Sequence, residues 1–83
     1  MKLIDVVKEL ETIKSFKSIN ADFKKSENIF NIYCQVTVPK EEAESRFNKI
    51  DKVDYHFCNF NVFQFWFSNE DVEIVIQQLK EVF

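Results

Sequence analysis

The chain is predicted to fold as an α+β two-layer sandwich. Two β-hairpins form an antiparallel four-stranded sheet, and helices pack on one of its faces, in the order α-ββ-α-ββ-α. Three observations predict this. Apolar residues recur at helical spacing near both ends of the sequence, residues 19–38 alternate apolar with polar, and residues 51–68 concentrate the large aromatics. Residues 1–83 are read as a single domain.

Residues 2–16 fit an amphipathic helix. Leu3, Val6, Val7, Leu10, Ile13 and Phe16 form its apolar stripe, and Lys14 and Lys17 sit near the end that favours positive charge. A short half-buried strand follows, with Ile19, Ala21 and Phe23 alternating with Asn20, Asp22 and Lys24. The cluster Lys25-Ser26-Glu27-Asn28 reads as a turn. Phe30, Ile32, Cys34, Val36 and Val38 then alternate with Asn31, Tyr33, Gln35 and Thr37, the clearest strand in the sequence. Pairing Phe23 with Phe30, Ala21 with Ile32 and Ile19 with Cys34 keeps the apolar sets on one face. Pro39 ends this strand and is expected at the first position of a short helix over 40–50, which buries Ala43, Phe47 and Ile50. Glu41, Glu42 and Glu44 lie in its first turns and Arg46 and Lys49 later, as the helix dipole prefers.

The stretch from Asp51 to Ser68 carries Tyr55, Phe57, Phe60, Phe63, Phe65, Trp66 and Phe67, and the remainder of the fold must cover it. It reads as a hairpin folded at Asn59-Phe60-Asn61. A three-residue loop pairs Phe57 with Phe63, Tyr55 with Phe65 and Val53 with Phe67 on one face. Cys58 with Val62, His56 with Gln64 and Asp54 with Trp66 then share the other. A two-residue loop would pair Cys58 with Phe63 and mix the faces, so the sorted register is expected to win. Asn61 suits the left-handed position that such a loop requires, and Phe60 is left at the tip without a strand partner. Ser68 then begins Ser-Asn-Glu-Asp, a start resembling a capping box with Asp71 in the Glu position. The last helix runs to about Val82 and buries Val72, Val75, Ile76, Leu79 and Val82, with Ile74 off the stripe.

Composition narrows the function classes. The formal charge is −3, from 11 basic and 14 acidic residues. This counts against a nucleic-acid partner held by phosphate neutralisation, and it is too small to mark a DNA mimic. There is no glycine, hence no glycine-rich phosphate loop. Two cysteines are too few for a disulfide scaffold and are expected as free thiols in a reducing, cytoplasmic setting. Asp5, Lys8, Glu9 and Glu11 interrupt the apolar positions near the start, so neither a secretory signal nor a membrane span is read there, and no membrane partner is expected. Lysine outnumbers arginine ten to one, and Phe, Ile and Asn are abundant. These are AT-rich codon choices and suggest a bacterial, phage or parasite genome of that kind.

Candidate chemistry is sparse. Asp54, His56 and Cys58 share a strand face at period two, but a single His-x-Cys is a weak metal signal, and the expected pairing puts Cys34 on the opposite face. The same geometry gives a Cys–His nucleophile pair no orienting group. The acidic residues 41, 42, 44, 70, 71 and 73 lie at helix starts, where the dipole and solvent account for them. No enzyme, metal or cofactor is therefore expected.

Phe60 and Trp66 stand outside the predicted core face. With Val62, Tyr33 and Asp54 they form the expected partner-binding set, since aromatic side chains dominate binding hot spots. The competing expectation is that a helix or Phe83 folds over them. The function expected is a small non-enzymatic protein-binding module. A phage or mobile-element anti-defence inhibitor, or an immunity protein that blocks its partner, fits that description. A structural homodimer is the alternative, in which the aromatic faces or an edge strand pair across a two-fold axis, with the charge-free run Val62–Phe67 as the strand contact if that strand lies at a sheet edge. So is a single-stranded nucleic-acid binder stacking bases on Trp66, Tyr33 and Phe60.

Overall fold

The structure is a computed structural model covering residues 1–83. Its elements are α1 (Leu3–Glu11), β1 (Phe16–Lys24), β2 (Ile29–Val36), α2 (Lys40–Phe47), β3 (Asp54–Asn59), β4 (Val62–Ser68), a single 3-10 turn (Asn69–Asp71) and α3 (Val72–Val82). The four strands form one antiparallel sheet in the order β1-β2-β4-β3. The predicted α-ββ-α-ββ-α order and two-layer architecture are what the structure has.

Alternation dictates the layering. On one sheet face Phe30, Ile32, Cys34 and Val36 of β2 join Phe63, Phe65 and Phe67 of β4, all buried. Val6 and Leu10 of α1, Ala43 and Phe47 of α2, and Val72, Val75, Ile76 and Leu79 of α3 close over them in a single cluster. Helix α1 lies over β1, α3 reaches β4, and α2 sits beside β3. Phe47 is the hub of this layer. Its ring lies 5.4 Å from Phe63, 5.3 Å from Phe65 and 4.8 Å from Phe83, and it stacks on Tyr55 at 5.1 Å. Ile74 is exposed, as the helical stripe implied, whereas Val82, expected to be buried, is half-buried against the core. A Lys80–Glu9 ion pair joins α3 to α1 at the surface, where such contacts contribute little. No helix is long and apolar enough to cross a membrane.

Several boundaries differ from expectation. The first helix ends at Glu11, and Phe16 begins β1 opposite Val36. Phe16 and Ile19 are three residues apart, which imitates a helical stripe. A bulge between Lys17 and Asn20, with Ser18 at φ 54°, shifts the strand parity so that both residues still face the core. The same bulge replaces the regular Ile19–Cys34 pair, while Ala21–Ile32 and Phe23–Phe30 pair as expected.

In the second hairpin Phe57–Phe63, Tyr55–Phe65, His56–Gln64 and Asp54–Trp66 pair as the sorted register requires. The loop is different. Asn59 pairs with Val62, so Phe60 and Asn61 form a two-residue turn, both left-handed at φ 48° and 60°. A bulge at Cys58 absorbs the one-residue slip that a two-residue loop would otherwise impose. The expected Cys58–Val62 pair is thereby lost. Val53 precedes the strand and packs against the core without a ladder partner.

Pro39 is the N-cap of α2, not its first residue, with extended ψ of 153°. Ser68 does cap the next segment, its Oγ accepting from the Glu70 N–H at 3.1 Å. The segment it caps is the 3-10 turn, so no reciprocal Asp71 bond forms, and α3 starts at Val72. Finally, β4 is interior, hydrogen-bonded to both β2 and β3. Its charge-free edge is already occupied, which removes the dimer contact expected through Val62–Phe67.

Candidate interaction surface

All three helices bury their apolar stripes against the same sheet face. Phe83 also belongs to that side, with its ring 4.9 Å from Phe16 and Arg46 above it. The opposite face is therefore covered by neither a helix nor Phe83.

Strand register orders the outward side chains into rows across the sheet. One row runs Asp22, Asn31, Trp66, Asp54, and the next runs Asn20, Tyr33, Gln64, His56. A third, nearer the hairpin tip, runs Lys17, Gln35, Val62, Asn59. The two central strands present Ile29, Asn31, Tyr33, Gln35, Val62, Gln64, Trp66 and Ser68, none of them charged. Charge is confined to the edge strands, as Lys17, Asp22 and Lys24 on β1 and Asp54 on β3.

The middle of this face is held by its own polar groups. Gln64 Nε2 donates to Asn31 Oδ1 at 2.9 Å, and Asn31 is buried despite its position outside the core. Tyr33 pairs with Gln64 and so stands diagonal to Trp66, about 7–8 Å away for such neighbours. Tyr33 is 41% exposed, Trp66 and Val62 are half-buried, and Asp54 is exposed directly across from Trp66. Four of the five predicted residues thus share this face. Phe60 does not sit beside Trp66. It projects from the turn beyond Val62, and Val62 is four strand positions, about 13 Å, from Trp66.

The turn itself is built by Asn61. Its Nδ2 donates to the carbonyls of Val36 at 3.1 Å and Val38 at 2.9 Å, and its own carbonyl accepts from the Val36 N–H at 2.9 Å. The tip is thus tied to the end of β2 and the segment leading to α2. Sequence reasoning placed Asn61 in the left-handed region but missed these bonds, because they depend on β4 lying next to β2. Lys40 Nζ, 4.5 Å above the Phe57 ring, covers the edge of the hairpin on the helical side and was likewise unread.

The residues considered for chemistry are not assembled. Cys34 is buried on the core face and Cys58 is exposed at the bulge of β3. Burial pushes the Cys34 thiol up to about 12, so it remains a protonated apolar filler. No three side chains among His, Cys, Asp and Glu are grouped as metal ligands would be. Comparison with protein-family models, curated proteins and solved structures gave no match.

Proposed function

We propose that the protein is a non-enzymatic binding module that engages another protein through the open face of its sheet. One observation carries this reading: an uncharged centre containing Trp66 and Tyr33 is ringed by charge only at the edge strands. Protein interfaces have this anatomy, with aromatics enriched and charge depleted at the centre and a polar rim. The face spans about 400 Å² from strand spacing and rise. That is a small, transient-sized surface compared with the roughly 800 Å² that a stable complex buries per partner. An inhibitor, immunity or phage anti-defence role in the cytoplasm is consistent with a small acidic domain that acts by covering a site on its partner.

A second reading has one observation in its favour. Tyr33 and Trp66 stand diagonal on adjacent central strands, where two bases of a single strand could stack. The acidic balance and the presence of only Lys17 and Lys24 as outward cations weigh against it.

The test is an affinity capture from the source organism with wild type, Trp66→Ala and Tyr33→Ala, each shown to be folded. A protein retained by wild type and lost with both variants supports the reading. Retention by all three places the interface elsewhere, and nuclease-sensitive retention of a nucleic acid favours the second reading.

A further inference from the structure

The Phe60 side chain is unusual on two independent counts. It is 87% exposed, more than any other large apolar residue of the chain. It also occupies the left-handed region at φ 48°, at a position where glycine, asparagine or aspartate is the ordinary choice. Exposure and backbone strain both disfavour phenylalanine there, and the ring makes no aromatic contact within the chain that would offset them. The turn that holds it is fastened by the three Asn61 bonds to Val36 and Val38. Strain maintained at a rigid, exposed position is the pattern of a functional site.

We propose that Phe60 is a preformed docking knob whose ring enters an apolar pocket on a folded protein partner. This rests on the protein-binding reading above and specifies how the partner is engaged. Rigidity of the turn is the physical gain: a backbone already held at the tip by the Asn61 bonds has little freedom left to lose on docking. A pocket, and not a bilayer, is the fitting counterpart. One phenyl ring between Asn59 and Asn61 is far short of the paired signals that membrane anchoring needs. The chain offers a second copy no enclosed apolar cavity, since its two depressions lie among α1, α3 and their flanks, are open, and count the charged Glu9, Glu73 and Lys80 among their lining residues.

Two measurements test this. Phe60→Asn should keep the turn and leave the thermal midpoint unchanged or higher, because asparagine accepts the left-handed region. A midpoint lowered by several degrees means that the ring is structural, and the proposal fails. In the second, a photoreactive diazirine analogue of phenylalanine is placed at position 60, and separately at position 64 on the sheet face, in the full chain. Irradiation in extract of the source organism should give from position 60 one discrete adduct that maps to an apolar pocket. Excess wild type should suppress it at least tenfold more effectively than Phe60→Asn. Equal suppression by the two competitors overturns the proposal, as does an adduct of twice the chain mass. An adduct from position 64 with none from position 60 overturns it while leaving the sheet-face reading intact. Absence of adducts from both positions removes the two together.

Discussion

Asn61 is the residue through which the tip, the end of β2 and the approach to α2 are coupled, and a three-variant series separates its roles. Asn61→Ala removes two side-chain hydrogen bonds, to Val36 O and Val38 O, worth about 1 kcal/mol each in a partly buried setting. It also leaves a residue with a Cβ at φ 60° without the local polar contacts that make asparagine tolerant there, about 1 kcal/mol more. The expected loss is about 3 kcal/mol. Asn61→Gly loses the same bonds but relieves the backbone, so it should lose about 2 kcal/mol. Asn61→Asp keeps the left-handed preference yet turns a donor into a carboxylate facing two carbonyl oxygens, and should be the worst of the three at neutral pH. Urea denaturation of the four proteins, read by the Trp66 fluorescence, gives the order wild type, Gly, Ala, Asp. An aspartate variant as stable as wild type would refute the assigned donor geometry. An alanine variant no worse than glycine would refute the left-handed strain.

Two further outcomes follow from the core. Phe63→Ala empties the site where β4 meets Phe47, Phe57 and Tyr55, and should lower unfolding free energy by about 3–5 kcal/mol; unchanged denaturant midpoints would contradict the core assignment. The Cys34 thiol is raised from 9.0 to about 12 by burial, so folding opposes its ionisation. Its stability contribution is intact below pH 9 and declines as pH rises toward 12, a decline that Cys34→Ala should lessen when pH titrations of the two proteins' stability are compared.

Alternation was sufficient to read the layers. Residues 30–36 and 63–67 repeat with period two, their apolar members fill one face, and a one-residue slip would have exposed three phenylalanines. The register of both hairpins followed from this sorting. The bulges did not. At Ser18 and Cys58 the backbone inserts one residue, and neither side chain announces it, because a bulge is a compromise between turn geometry and face sorting. The second hairpin shows the compromise directly. Asn at position 61 favours a tight turn, the phenylalanines demand their face, and the bulge satisfies both. Strand order was equally illegible, since nothing local decides whether β3 or β4 joins β2. It becomes intelligible only in the assembled sheet. Placing β4 inside gives Phe63 and Phe65 ladder neighbours on both sides, while the edges fall to β1, with its bulge and its lysines, and to the shorter β3.

That strand order also decides what the candidate surface is. Had β3 been interior, Trp66 would have stood at an edge with its uncharged neighbours Gln64 and Val62, an aggregation hazard more than a recognition site. With β4 interior, Trp66 acquires Asn31 on one side and Asp54 on the other, and Gln64 reaches across to Asn31. The outward face gains a centre fixed by hydrogen bonds and a charged margin. The same pairing of β4 with β2 brings Asn61 to Val36 and Val38 and so makes the tip rigid. Trp66 on the sheet face and the Phe60 knob are thus separate features, Phe60 lying beyond Val62, which is itself about 13 Å from Trp66 along β4, and both depend on the ladder between β2 and β4. Variants that loosen that ladder should disturb both features together, whereas Trp66→Ala and Phe60→Asn should each disturb one.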